Sequence, residues 1–184
     1  MHKNILQPEK SAFVIVDVQT AFRESIAGFA ELANKIAVFA RGARLLNIPI
    51  LVTEQYPKGL GRTADEILNV LSEDIEFIEK TAFSSCGASA FGEKLLNTGA
   101  TQIVVAGLEA HICVNQTVHD LLEQNFQVHL LCDCITSRGE QNKFIGVQKM
   151  QMSGAILSSV ETALFELLRD ARHEQFKAVQ NLIK

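Results

Sequence analysis

Apolar residues are distributed along this chain in two alternating patterns. Short runs rich in Val and Ile occur at AFVIVDV (12–18), IPILVTE (48–54), IEFIE (75–79), TQIVVAG (101–107), FQVHLLCD (126–133) and AILSS (155–159). Most are apolar at consecutive positions rather than at every second one, as expected of strands covered on both faces. Between them the apolar positions recur with the helical period. The clearest case is 27–47, where Leu32, Ile36, Phe39, Ala40 and Ala43 form one stripe, stopped by Asn47 and Pro49. Further helices are expected over about 88–97, 112–125, 140–152 and 160–170, with LNIP, NTGAT and EQNF as the turns that return to the next strand.

Strand and helix therefore alternate throughout. Right-handed crossovers then place helices on both sides of one sheet, and the fold class is α/β: a three-layer α/β/α, doubly wound, Rossmann-like domain with six parallel strands in the order 3-2-1-4-5-6. A single domain over 1–184 is expected, with a core at about 11–170. The tail 171–184 reads as a short amphipathic helix with Phe176, Val179 and Leu182 on one side, able to dock on its own domain or on another subunit. The stretch QYPKGLGRTADEI (55–67), with Pro57, Gly59 and Gly61, reads as one long irregular connection that borders any site.

Composition narrows the function more than the fold. The chain has 184 residues, of which 47% are hydrophobic and 21% charged, and 17 Lys+Arg against 21 Asp+Glu give a net charge of −4 with no long run of one sign. That balance speaks against nucleic acid or an anionic membrane as partner. No apolar segment approaches the ~18 residues of a membrane span, and MHKNILQPEK is not a signal peptide, so a cytoplasmic protein is expected. The four cysteines (Cys86, Cys113, Cys132 and Cys134) do not form a disulfide framework. Cys132 and Cys134 flank one residue, with no second Cys or His pair nearby, and are expected as core residues at a strand end rather than metal ligands.

Three strand ends carry candidate chemistry. Asp17 interrupts an apolar run in VIVDVQ, where an acid is costly unless paired or used; the alternative is a cap for the next loop, work that Gln19 and Thr20 could also do. Lys80 ends FIEK, where by itself it could be a solvated strand end. Cys113 falls where a helix begins, with Val114, Val118, Leu121 and Leu122 marking that helix's apolar face. It could be a buried structural thiol. A helix N-terminus, however, favours thiolate, and no Ser, Thr, Asn or Asp in 107–112 caps this one, leaving N–H groups for an oxyanion. In the expected strand order the three side chains converge.

Together VIVDVQTAF, FIEKTAFSS and GLEAHICVNQT resemble the three catalytic segments of the isochorismatase-like cysteine hydrolases, over about residues 11–170. The resemblance implies a catalytic triad of Asp17, Lys80 and Cys113. Asp17 would act as proton acceptor and donor, Lys80 would hold Asp17 and favour the Cys113 thiolate, and Cys113 would attack a carbonyl to give a thioester. It further implies a cis peptide at Leu108–Glu109 and an oxyanion hole from the backbone N–H groups of Glu109 and Cys113. Phe22, Gln55, Tyr56, Phe83, His111 and Ile112 flank these segments and are expected to bind substrate, with ordinary core packing the alternative for the aromatics.

One element of the family is missing. Zinc-binding nicotinamidases carry Asp-x-His and a further His after the second strand, where this chain has VTEQYPKG and no histidine between His2 and His111. No catalytic metal and no cofactor are expected, and VTEQYPKGLG looks like the isochorismatase-domain subgroup of unassigned substrate. His111, two residues before Cys113, is not expected as the base, His119 is expected to be a surface residue, and His129 is expected to be a satisfied packing residue. The resemblance thus implies an amidohydrolase cleaving a C–N bond of a small amide or ureido substrate, in a homo-oligomer such as a dimer or tetramer. The alternatives are hydrolysis of an isochorismate-type vinyl ether and a non-catalytic binding or scaffold protein of the same fold.

Overall fold

The computed structural model describes residue 2 and residues 4–184. Six strands, β1 (Ser11–Val16), β2 (Ile50–Gln55), β3 (Phe77–Lys80), β4 (Gln102–Gly107), β5 (Gln127–Ile135) and β6 (Ile156–Ser158), form one sheet in the order β3-β2-β1-β4-β5-β6. Every pairing is parallel. β1 and β4 lie at the centre and are buried along their whole length, which is why their sequences are unbroken apolar runs rather than alternating ones.

The helices are α1 (Phe29–Leu45), α2 (Pro57–Leu60), α3 (Asp65–Leu68), α4 (Ser89–Asn97), α5 (Cys113–Glu123), α6 (Glu140–Met152), α7 (Val160–Leu168) and α8 (Phe176–Leu182). Two apolar clusters divide the core between the faces of the sheet. One joins α1, α7 and α8 to Phe13, Ile15, Val52 and Val104. The other joins α4, α5 and α6 to Val14, Val16, Leu51 and Val105. Alternation along β1 thus sends Phe13 and Ile15 one way and Val14 and Val16 the other. The tail helix docks on its own domain: Val179 is fully buried in the α1 cluster and Phe165 meets Phe176 edge-on.

The connection 55–67 is less irregular than its Pro and Gly content suggests, since it holds α2 and the start of α3. Pro57 lies in the first turn of α2, where its missing N–H costs nothing. The third strand runs 77–80 rather than 75–79, so Lys80 is its last residue and not the one beyond it. At the centre of the sheet, Gly107 has φ 138° and a Cβ there would lie 2.1 Å from the Val16 carbonyl oxygen. Only glycine lets the end of β4 lie against the end of β1. The chain leaves Gly107 through a cis peptide at Leu108–Glu109 and reaches α5.

Candidate active site

All three chemistry-bearing strand ends open on the carboxyl edge of the sheet, on the face covered by α4 and α5. Asp17 follows β1 in a left-handed conformation, φ 54°, which Asp tolerates better than most residues. Its side chain is almost fully buried, and both carboxylate oxygens are engaged: Oδ1 accepts from Thr53 Oγ1 at 2.7 Å and Oδ2 from Lys80 Nζ at 2.6 Å.

Lys80 shares the inward face of β3 with Ile78, so its side chain enters the protein instead of reaching solvent, and is only 1% exposed. Besides Asp17, its ammonium has three acceptors: Gln55 Oε1 at 2.8 Å and the carbonyls of Ala82 at 3.2 Å and Phe83 at 2.9 Å. Four acceptors for three N–H donors, one a carboxylate, compensate the buried charge. Gln55 is thereby tied between Lys80 and the Thr81 carbonyl. Among the described residues no group of three or more His, Cys, Asp or Glu side chains is arranged to hold a metal ion.

Cys113 is the first residue of α5, and Ile112, at the capping position, supplies no side-chain cap. The thiol is buried, and the Asp17 carboxylate, the Lys80 ammonium and the Glu109 N–H are its electrostatic neighbours. The Glu109 carbonyl takes the N–H groups of Ile112 at 3.0 Å and Val114 at 3.2 Å, passing over that of Cys113. Among the described residues, the Glu109 and Cys113 N–H groups therefore have no nitrogen or oxygen acceptor. The Glu109 side chain, also buried, is gripped by Arg138 through Nε at 2.7 Å and NH2 at 3.2 Å. Burial raises its carboxyl, but these hydrogen bonds and the guanidinium charge outweigh that and hold it below the ordinary carboxylate range.

The thiol departs from the sequence expectation in one respect. A helix N-terminus and a nearby lysine were expected to favour thiolate; instead burial, reinforced by the Asp17 charge and opposed by Lys80, pushes Cys113 up to about 12. Burial thus favours the neutral S–H over the thiolate.

The six expected substrate-contact residues have different placements. Tyr56 is exposed and, with Lys58, Glu79, Lys80, Ala82 and Ser89, lines a cavity of about 510 Å³. Neither Asp17 nor Cys113 lines this cavity, which borders the triad only on the lysine side. Phe83 is exposed beside it in sequence, and Gln55 holds Lys80. Ile112 packs against the cluster containing Cys113, and His111 Nδ1 lies 2.9 Å from Ser137 Oγ. Phe22 packs against the α1 cluster, on the other face from Cys113. Gln19, named in the sequence as able to hold the loop after Asp17, ties 55 and 61 together by donating its amide N–H groups to both carbonyls, whereas the sequence reading did not find Thr53, Ser85 or Thr117, buried hydroxyls behind Asp17. A threonine in the buried run ILVTEQ was the only signal available for any of them.

Of the remaining candidates, Cys132 and Cys134 are free thiols within β5, and Cys134 is buried. His119 is half-buried and links Asn115 to Ser153. His129 is fully buried on β5 and, among the described residues, neither ring nitrogen has a hydrogen-bond partner, so it is not the satisfied packing residue expected. No helix among the described residues is long and apolar enough to cross a membrane.

Comparison with known proteins identifies the family and the fold. Residues 11–162 match the isochorismatase domain. The chain is 38% identical to isochorismatase domain-containing protein 2A of Mus musculus, over 96% of this chain and 84% of that one. The structure of MAR1 ribonuclease from Caenorhabditis elegans superposes with a TM-score of 0.93 at 36% identity, covering 97% of this chain and 92% of the other. The YcaC protein of Escherichia coli, described as an octameric hydrolase of unknown specificity, shares the fold at a TM-score of 0.86 and 20% identity, over 97% and 94% of the two chains.

Proposed function

The chain belongs to the isochorismatase family, and we propose that within it this protein is a cysteine hydrolase that cleaves a C–N bond of a small amide or ureido compound. The observation that carries the reading is a buried thiol beside a carboxylate that a buried lysine holds at 2.6 Å, with the Glu109 and Cys113 N–H groups, among the described residues, lacking a nitrogen or oxygen acceptor. A fold kept only for binding has no physical need of this costly group of charges.

The chemistry follows from the resting protonation. As Cys113 Sγ bonds to the carbonyl carbon, its proton passes to Asp17, and Lys80 stabilises the site through the transfer. The carbonyl oxygen takes up negative charge in front of the Glu109 and Cys113 N–H groups. Asp17 returns the proton to the departing nitrogen as the C–N bond breaks, leaving a Cys113 thioester and a free amine. Water then attacks the thioester carbon while Asp17 takes its proton. Collapse of that adduct expels the sulfur, which recovers the proton from Asp17 and releases the acid.

The test is a panel of small amides, ureido compounds, isochorismate and RNA, assayed with wild type and Cys113→Ala. RNA is included because the similar worm protein is described as a ribonuclease. The expected result is release of amine or ammonia from one amide or ureido class, abolished in Cys113→Ala. Cleavage of isochorismate or RNA alone, or full activity in Cys113→Ala, overturns the proposal. Copies of the chain are also proposed to associate, supported by the exposure of Phe144, Ile145 and Met152 on α6. Light scattering reporting a monomer contradicts this.

A further inference from the structure

A run of buried hydroxyls connects Asp17 to the helix that carries Cys113. Thr53 Oγ1 donates to Asp17 Oδ1 at 2.7 Å and lies 3.5 Å from Ser85 Oγ. Thr117 Oγ1 donates to Ser85 Oγ at 3.3 Å and accepts from the Ser85 N–H at 2.9 Å. Thr53, Ser85 and Thr117 are all fully buried. They belong to three separate segments: β2, the short 3₁₀ turn Ser85–Gly87, and α5, where Thr117 sits about one turn beyond Cys113.

The direction of each hydroxyl follows from its neighbours. An ionised carboxylate only accepts, so the hydrogen of Thr53 is committed to Asp17. In the 3.5 Å contact Ser85 is then the donor, and its own oxygen receives the hydrogen of Thr117. All three O–H groups point towards Asp17, each polarising the next. Bonds of 3.3 and 3.5 Å are long for hydroxyl pairs, so Thr53 contributes most and the two behind it support its orientation.

We infer that Thr53 is a positioning residue of this site, resting on the functional reading above. It holds Oδ1 of Asp17 while Oδ2 stays on Lys80, and through Ser85 and Thr117 it fixes Asp17 relative to the helix bearing Cys113. The titratable groups facing Asp17 are Lys80 from β3 and Cys113 from α5. A donor to a carboxylate favours its charged form, and only the charged form can take the thiol proton.

The experiment measures acetylation of Cys113 by p-nitrophenyl acetate against pH, followed by peptide mass spectrometry, for wild type, Thr53→Val and Thr53→Ser. Thr53→Val keeps the shape and removes the hydroxyl. The expected result is acetylation about ten- to a hundredfold slower, the scale of a lost hydrogen bond to a charged group. The acid limb of the profile also moves to higher pH, and Thr53→Ser restores both. Ser85→Ala, expected to shift the limb in the same direction by less, decides the matter if Thr53→Val does not fold. A slower rate with an unmoved acid limb means a merely structural threonine and overturns the inference, as does a Thr53→Val profile equal to wild type. If wild type is not acetylated at Cys113 at all, the functional reading fails first and the inference fails with it.

Discussion

His129 makes the stability of this protein dependent on pH in a way that one substitution removes. The residue is fully buried on β5 between Val104 and Ile156 in register, with no partner for either nitrogen, and burial holds its imidazole down to about 4 from an ordinary value of 6.5. Between those values the unfolded chain binds a proton that the folded chain refuses, so stability falls as the pH drops below 6.5 and the loss is complete near 4. At ~1.4 kcal/mol per pKa unit the displacement corresponds to about 3 kcal/mol across the window. Urea unfolding of wild type and His129→Leu at neutral pH and just above pH 4 isolates this contribution, because the carboxylates titrate alike in both proteins. The wild type is expected to lose about 2–3 kcal/mol more than His129→Leu on acidification. Equal losses in the two proteins refute the reasoning, whatever their absolute stabilities.

Three further outcomes follow from the geometry. Gly107→Ala places a methyl 2.1 Å from the Val16 carbonyl oxygen at φ 138°, so it should destabilise by more than about 3 kcal/mol in thermal unfolding or abolish soluble protein. In Gly146→Ala the methyl falls 2.9 Å from the Ala110 carbonyl oxygen and the His111 Cα, pushing α6 off the segment behind Cys113; acetylation of Cys113 should fall at least tenfold with a smaller change in stability. In an ultraviolet pH titration, the wild-type minus Cys113→Ala difference should show no thiolate at neutral pH and should rise only as the pH approaches 12, whereas a transition near the ordinary thiol value contradicts the burial argument.

The layout of the sheet was legible because its central strands are covered on both faces, and such coverage leaves an unbroken apolar signature in β1 and β4. Asp17 and Cys113 stood out for the complementary reason, an acid in an apolar run and a thiol at an uncapped helix start. Thr53 did not, because threonine is an ordinary strand former, and its partners Ser85 and Thr117 become neighbours only where the 3₁₀ turn Ser85–Gly87 packs between β2 and α5. The short helices α2 and α3 were hidden by Pro57, Gly59 and Gly61. The protonation of Cys113 was misjudged for a physical reason: the sequence reveals a helix terminus but not depth of burial, and here burial outweighs both the terminus and Lys80.

The central claim, that Cys113 is the nucleophile because its site activates it, is tested most directly by where an acyl group lands. Cys86 offers an internal comparison, since burial raises it only to about 11, against about 12 for Cys113. Burial raises both thiols, so thiolate fraction alone gives Cys113 no advantage. Brief exposure to p-nitrophenyl acetate at neutral pH, followed by peptide mass spectrometry, is predicted to place the acetyl group on Cys113 first, through proton transfer to Asp17 and the free N–H groups. Acetylation of Cys86 or Cys132 ahead of Cys113 would contradict the account.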